Sequence, residues 1–172
     1  IDGLQSPLLT DFYQLTMLQG YVAAGMQGEA VFEFFARRLP ERRNFLLAAG
    51  LEQLLDFLET LRFSEAELQW LEGEGYADRQ LLAYFEDFHF SGDVYAVPEG
   101  TIVCPDEPLV RVVAPLPQAQ LIESRLINLV NFQTIIATKA ARSVLAAPDK
   151  LLVDFGMRRA HGAEAALFAA RA

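Results

Sequence analysis

Leu151-Leu-Val-Asp-Phe-Gly-Met-Arg-Arg-Ala-His-Gly162 is the stretch that decides the fold. The apolar run Leu151 to Val153 ends in Asp154-Phe155-Gly156, and two arginines and small residues follow. The pattern predicts a buried strand whose C-terminal end opens into a loop and then a helix. In α/β folds the C-terminal ends of parallel strands are where ligands bind. Phe155 can stack on a ring, and Arg158 or Arg159 can grip a carboxylate or phosphate through two parallel hydrogen bonds. An ordinary strand-to-helix turn with solvated arginines explains the same residues equally well, because exposed arginine is the common state.

The rest of the chain supplies the context for that strand. Thr10 and Asp11 open a helix predicted over 11–24, with Leu15, Leu18, Tyr21 and Val22 as its apolar stripe and Gly25 as its stop. Glu29–Arg37 is aromatic and β-branched and predicts a strand. Asn44 is expected to cap a second helix through about Glu59, with Leu47, Leu51, Leu54, Leu55 and Leu58 facing inward. Ser64-Glu-Ala-Glu67 is a capping-box pattern opening a third helix, and a fourth covers 79–87. Asp93–Val97, Thr101–Cys104 and Leu109–Ala114 are three short strands separated by proline-containing turns, and they predict a β-meander. After Pro115 and Pro117, residues 118–146 read as one long helix. The order predicts an α+β front domain over 1–117, then a long helix and the first βα unit of an α/β structure over 118–172. Parallel strands need neighbours on both sides, so the chain reads as the front part of something larger.

The 172 residues are 52% hydrophobic, enough for a real core. No apolar run reaches membrane-spanning length. The single cysteine, Cys104, fits a reducing cytoplasm. His89 and His161 lack metal-ligand spacing, so no metal site is expected. The net charge of −9 is unevenly spread: seven basic against nineteen acidic residues in 1–117, seven against four in 118–172. A basic C-terminal third on an acidic chain suggests a local anion site, not a nucleic-acid or membrane surface.

Three segments together resemble the nicotinate phosphoribosyltransferase family. They are Thr10-Asp-Phe-Tyr-Gln-Leu-Thr-Met17, the run from Ala119 through Asn128 and Asn131 to Arg142, and Asp154–Gly162. Phe34–Pro40 and Glu99–Leu109 are similar to the family's strand and turns, so the resemblance covers nearly the whole chain in order. It implies an incomplete α/β barrel of the type II phosphoribosyltransferase kind after the front domain. It also implies an enzyme that forms nicotinate mononucleotide from nicotinate and phosphoribosyl pyrophosphate in NAD biosynthesis, with ATP and Mg2+ as co-substrates of the full enzyme. No cofactor is expected on this chain alone. The family's head-to-tail dimer builds its active sites between subunits. By resemblance, Phe155 lies on one face of the pyridine ring, Tyr13 of the other subunit on the opposite face, and Arg158 meets the ring carboxylate. Arg159 and Arg37 are candidates for the ribose-phosphate anions.

The resemblance assigns no catalytic residue within this chain. His161 is read as structural, distinct from the family's phosphate-accepting histidine, which is expected beyond Ala172. The chain alone is therefore expected to be incomplete: a piece of a longer enzyme, one half of a split enzyme completed by a second chain, or a truncated binding or interaction protein. A nicotinamide-using relative is the near alternative.

Overall fold

The structure, a computed structural model, describes residues 5–39, 41 and 43–172. Helix α1 (Phe12–Ala23) buries Leu15, Leu18 and Val22 and stops where Gly25 takes a positive φ of 66°. Its N-cap is Asp11, one residue later than the sequence predicts. Strand β1 (Glu29–Phe35) alternates exposed and half-buried positions. That alternation marks a strand with one face on the core.

The second helix differs from expectation. Residues Leu46–Leu47 form a short strand, β2, and α2 (Leu51–Thr60) begins only after Gly50, whose φ is 97°. Leu47 therefore lies on a strand, not on a helical stripe. A Cβ at position 50 would stand 2.8 Å from the Leu129 carbonyl oxygen, so the backbone passes there only because the residue is glycine. Helices α3 (Glu65–Gly73) and α4 (Arg79–Glu86) follow the sequence, with the capping box of Ser64 and Glu67 formed as read.

The three later strands, β3 (Asp93–Ala96), β4 (Ile102–Val103) and β5 (Pro108–Pro115), do not make a meander. One sheet has the order β1-β5-β3, all antiparallel, while β4 pairs with β2. Both edges of β5 are occupied, by β1 and β3, so β4 turns to the backbone around Ala48 instead. Gly100 N donates to Ala48 O at 2.8 Å and Ala48 N to Thr101 O at 2.9 Å. Two-residue strands leave too little alternation to be read in advance.

Helix α5 (Leu116–Ala146) is 31 residues long and starts on Pro117 in its first turn. It packs against α1, α2, β1, β2 and β5, so the helix that follows these elements in sequence is their central post in space. Thr134 and Thr138, one turn apart and buried, serve the backbone of the β2 region. Thr138 Oγ1 accepts from Leu47 N at 2.9 Å, and Thr134 Oγ1 accepts from Ala49 N and donates to Ala49 O. These hydroxyls do the work of a neighbouring strand, which keeps buried backbone groups satisfied.

The segment 151–156 departs most from expectation. Among the described residues it has no ladder partner, and Leu151, Val153 and Phe155 are 90%, 68% and 84% exposed. The predicted parallel strand has no strand beside it among the described residues. A 3-10 turn (Met157–Arg159) and helix α6 (Ala163–Arg171) follow, and Phe168 packs on the core. Among the described residues no helix is long and apolar enough to cross a membrane.

Candidate functional site

The loop after Val153 is folded by its own residues. Asp154 Oδ1 accepts from Gly156 N at 2.8 Å, and Arg159 N donates to Gly156 O at 2.8 Å. These two bonds turn the chain through Phe155 and the 3-10 turn. Asp154 thus organises the loop. Phe155, Arg158 and Arg159 all project from this one turn and are exposed. Among the described residues neither guanidinium is in an ion pair. An exposed ring beside two available forks is a set suited to a flat anion.

Tyr13 lies in the first turn of α1 and is 49% exposed. Its hydroxyl accepts from Gln14 Nε2 at 2.9 Å. Gln14 is fully buried and belongs to a polar knot between α1 and α5. Gln14 Nε2 lies 3.0 Å from Glu123 Oε2, and Gln120 Nε2 donates to Gln14 Oε1 and, at 3.1 Å, to Glu123 Oε2. Ser124 Oγ donates to Asp11 Oδ2 at 2.6 Å. Partial desolvation, with the carboxylates of Glu123 and Asp11 nearby, pushes the Tyr13 hydroxyl above its ordinary value and keeps it neutral.

Arg37 is exposed at the bend after β1. The structure therefore gathers Phe155, Arg158 and Arg159 on one loop and leaves Tyr13 and Arg37 on other elements. Among the described residues neither Tyr13 nor Phe155 contacts another aromatic ring. One chain alone does not make the two-sided ring clamp.

Sequence reading missed three residues around this frame. Gln14 stands four residues before Leu18 on the buried stripe, and a polar residue at a core position was a usable signal. Arg125 is nearly buried on α5 and pairs with Glu164 of α6 at 2.6 Å. Arg171, at the end of α6, binds Glu99 at 2.8 Å and also reaches Glu52. No local pattern joins residues so far apart in sequence.

The sequence matches the family model for the nicotinate phosphoribosyltransferase (NAPRTase) N-terminal domain over residues 8–131. The nicotinate phosphoribosyltransferase pncB2 of Mycobacterium tuberculosis is 47% identical over 164 residues, covering 95% of this chain and 35% of its own length. The Bacillus subtilis nicotinate phosphoribosyltransferase is 42% identical over 173 residues, covering 96% of this chain and 34% of its own. The crystal structure of human nicotinic acid phosphoribosyltransferase superposes with a TM-score of 0.84 at 39% identity, over 94% of this chain and 33% of that one. A nicotinate-nucleotide pyrophosphorylase from Pyrococcus furiosus shares the fold at 22% identity and a TM-score of 0.73, over 98% of this chain and 38% of that one. The chain spans about a third of the length of the curated relatives it matches.

Proposed function

The chain belongs to the nicotinate phosphoribosyltransferase family, and on that premise we propose that it is the front third of an enzyme joining nicotinate to a phosphoribosyl group in NAD biosynthesis. The observation that carries the reading is the Phe155–Arg159 turn, pre-folded by Asp154 with its ring and guanidiniums exposed. In the proposed reaction the pyridine nitrogen lone pair attacks the anomeric carbon of phosphoribosyl pyrophosphate, and pyrophosphate leaves with its bonding electrons. The nitrogen needs no general base, because its lone pair is already free. The protein's work is to hold a flat ring in line and to balance anionic charge.

Phe155 supplies one face for the ring, Arg158 a fork for the carboxylate, and Arg159 and Arg37 charge for ribose-phosphate oxygens. Tyr13 covers the opposite face from a second subunit, which fits its separation from Phe155 within one chain. ATP and Mg2+ act as co-substrates of the assembled enzyme, and no residue of this chain is assigned to hold them. Cytoplasmic residence suits such an enzyme. A cationic fork at the ring substituent favours nicotinate over nicotinamide.

The test has two arms. Intact mass of the purified protein identifies any second chain that carries the remaining length. The assembly is then assayed for nicotinate mononucleotide from nicotinate, phosphoribosyl pyrophosphate and ATP. Product from nicotinate supports the reading; product from nicotinamide alone replaces it with the near relative; no product from any assembly rejects it.

A further inference from the structure

A tyrosine that covers a ring face has to hold its own plane, and a half-exposed side chain in a first helical turn does not do so unaided. Neighbouring residues on a helix diverge by about 100°. Even so, the ends of the Tyr13 and Gln14 side chains meet at 2.9 Å. The phenol therefore leans toward α5, with its oxygen gripped and its ring 49% exposed.

The grip is itself fixed. Gln14 has no exposed surface, and both ends of its amide are engaged: Oε1 by Gln120, Nε2 by Tyr13 and Glu123. Gln120 is almost as buried and takes a second bond to the same Glu123 oxygen at 3.1 Å. A buried polar network of this kind has one arrangement, because leaving any member unsatisfied costs more than the bonds return. Rigidity inside the knot is thus passed to Tyr13, whose ring is half exposed.

We propose that Gln14 is a positioning residue for Tyr13, locking the phenol ring so that its face is presented to a planar heteroaromatic acid such as nicotinate. The inference rests on the functional reading above and adds to it the part that sets the ring's plane. It also alters the expectation for the hydroxyl. If the ring face alone mattered, Tyr13→Phe would be harmless; with the hydroxyl as the handle, Tyr13→Phe frees the ring.

The test is a double-mutant cycle in the assembled enzyme, with kcat and the KM values for nicotinate and phosphoribosyl pyrophosphate measured for wild type, Gln14→Leu, Tyr13→Phe and the pair. Each single change should raise the nicotinate KM about three- to tenfold, the scale of one aromatic contact. The KM for phosphoribosyl pyrophosphate and kcat should hold. The pair should be no worse than either single change, because both cut the same link. Equal rises in both KM values, or effects that multiply in the pair, would make Gln14 a packing residue and overturn the proposal. Tyr13→Phe leaves the buried knot intact and decides the matter if Gln14→Leu does not fold: an unchanged nicotinate KM then overturns the anchoring. A wild-type assembly that makes no nicotinate mononucleotide overturns the functional reading, and this proposal with it; a working wild type indifferent to Tyr13→Phe overturns only the anchoring.

Discussion

The guanidinium of Arg171 lies 2.8 Å from the carboxylate of Glu99, and that carboxylate closes the first turn of α2. Glu99 Oε1 accepts from Gly50 N at 2.6 Å and Leu51 N at 2.9 Å. Gly50 has no side chain with which to cap the helix, so a residue from the turn before β4 supplies the missing acceptor. Arg171 then ties α6 to the same point. The placement is favourable for each charge, since an anion at a helix N-terminus meets the positive end of the helix dipole.

Removing Glu99 should therefore act on two elements at once. Glu99→Ala is expected to cost about 0.5–2 kcal/mol as a lost helix cap. It should also raise amide exchange in α6, which a cap with no second role would leave unchanged. Denaturant melts and hydrogen-exchange mass spectrometry check the two parts separately.

The same carboxylate gives a pH signature. The hydrogen bond from Arg171 comes first among the causes that hold Glu99 below the usual carboxylate range, with the bonds from Gly50 and Leu51 adding to it. A group whose folded value is depressed stabilises the fold above its unfolded value, and that contribution fades as pH falls through the folded one. Thermal stability of wild type should thus decline as pH is lowered through and below the ordinary glutamate range. Glu99→Gln should show a shallower decline over that window. Parallel acid-side slopes for the two proteins would count against the linkage.

Gly50→Ala should be among the most damaging single-methyl changes in the chain. Its φ of 97° disfavours any side chain, and the added Cβ would meet the Leu129 carbonyl oxygen at 2.8 Å. The expected loss is about 2–4 kcal/mol, combining a left-handed backbone penalty with overpacking. A chemical denaturation midpoint close to wild type would show that the backbone at Gly50 can move away from α5 at little cost.

Arg158→Lys should weaken nicotinate use in the assembled enzyme far more than phosphoribosyl pyrophosphate use. Lysine keeps the charge but loses the planar fork. The expected loss is about 1.5–3 kcal/mol, the worth of a charge-assisted hydrogen bond, or roughly one to two decades in kcat/KM for nicotinate. Unaltered nicotinate kinetics would return Arg158 to the status of a solvated loop residue.

The chain by itself should form no nicotinate mononucleotide, since only the Phe155 loop and not a closed ring clamp is present in one copy. Steady turnover by this polypeptide, purified free of any other, is the result that would refute the expectation.

Much of this was written locally in the sequence. The capping box at Ser64 and Glu67, the stop at Gly25 and the long uninterrupted run of α5 each rest on neighbours within a few residues, and each formed as read. The start of α2 is hidden in the sequence because Leu47, Leu51, Leu54 and Leu58 keep helical spacing across a break that only Gly50 signals. The pairing of β4 with β2 joins Val103 to Leu46 across a long stretch of chain and depends on which edges of β5 are already taken. For the candidate site, the Phe155–Arg159 turn was legible because it is contiguous. The burial of Gln14 was signalled by its place on the α1 stripe, but its pairing with Glu123 was not, because a buried amide acquires its role only from a partner on another helix.

The exposed run Leu151-Leu152-Val153 has a consequence for solubility. In this polypeptide taken apart from the assembled enzyme proposed above, its exposed aliphatic side chains and extended backbone are a template on which another extended chain can add. Asp149 and Lys150 on one side and Asp154 on the other act as gatekeepers, keeping the uncharged window only three residues wide. Neutralising two of them, as Lys150→Val with Asp154→Val, would extend the uncharged run to 150–157 and place an unbroken apolar stretch over 150–155, the kind of segment that seeds cross-β aggregates.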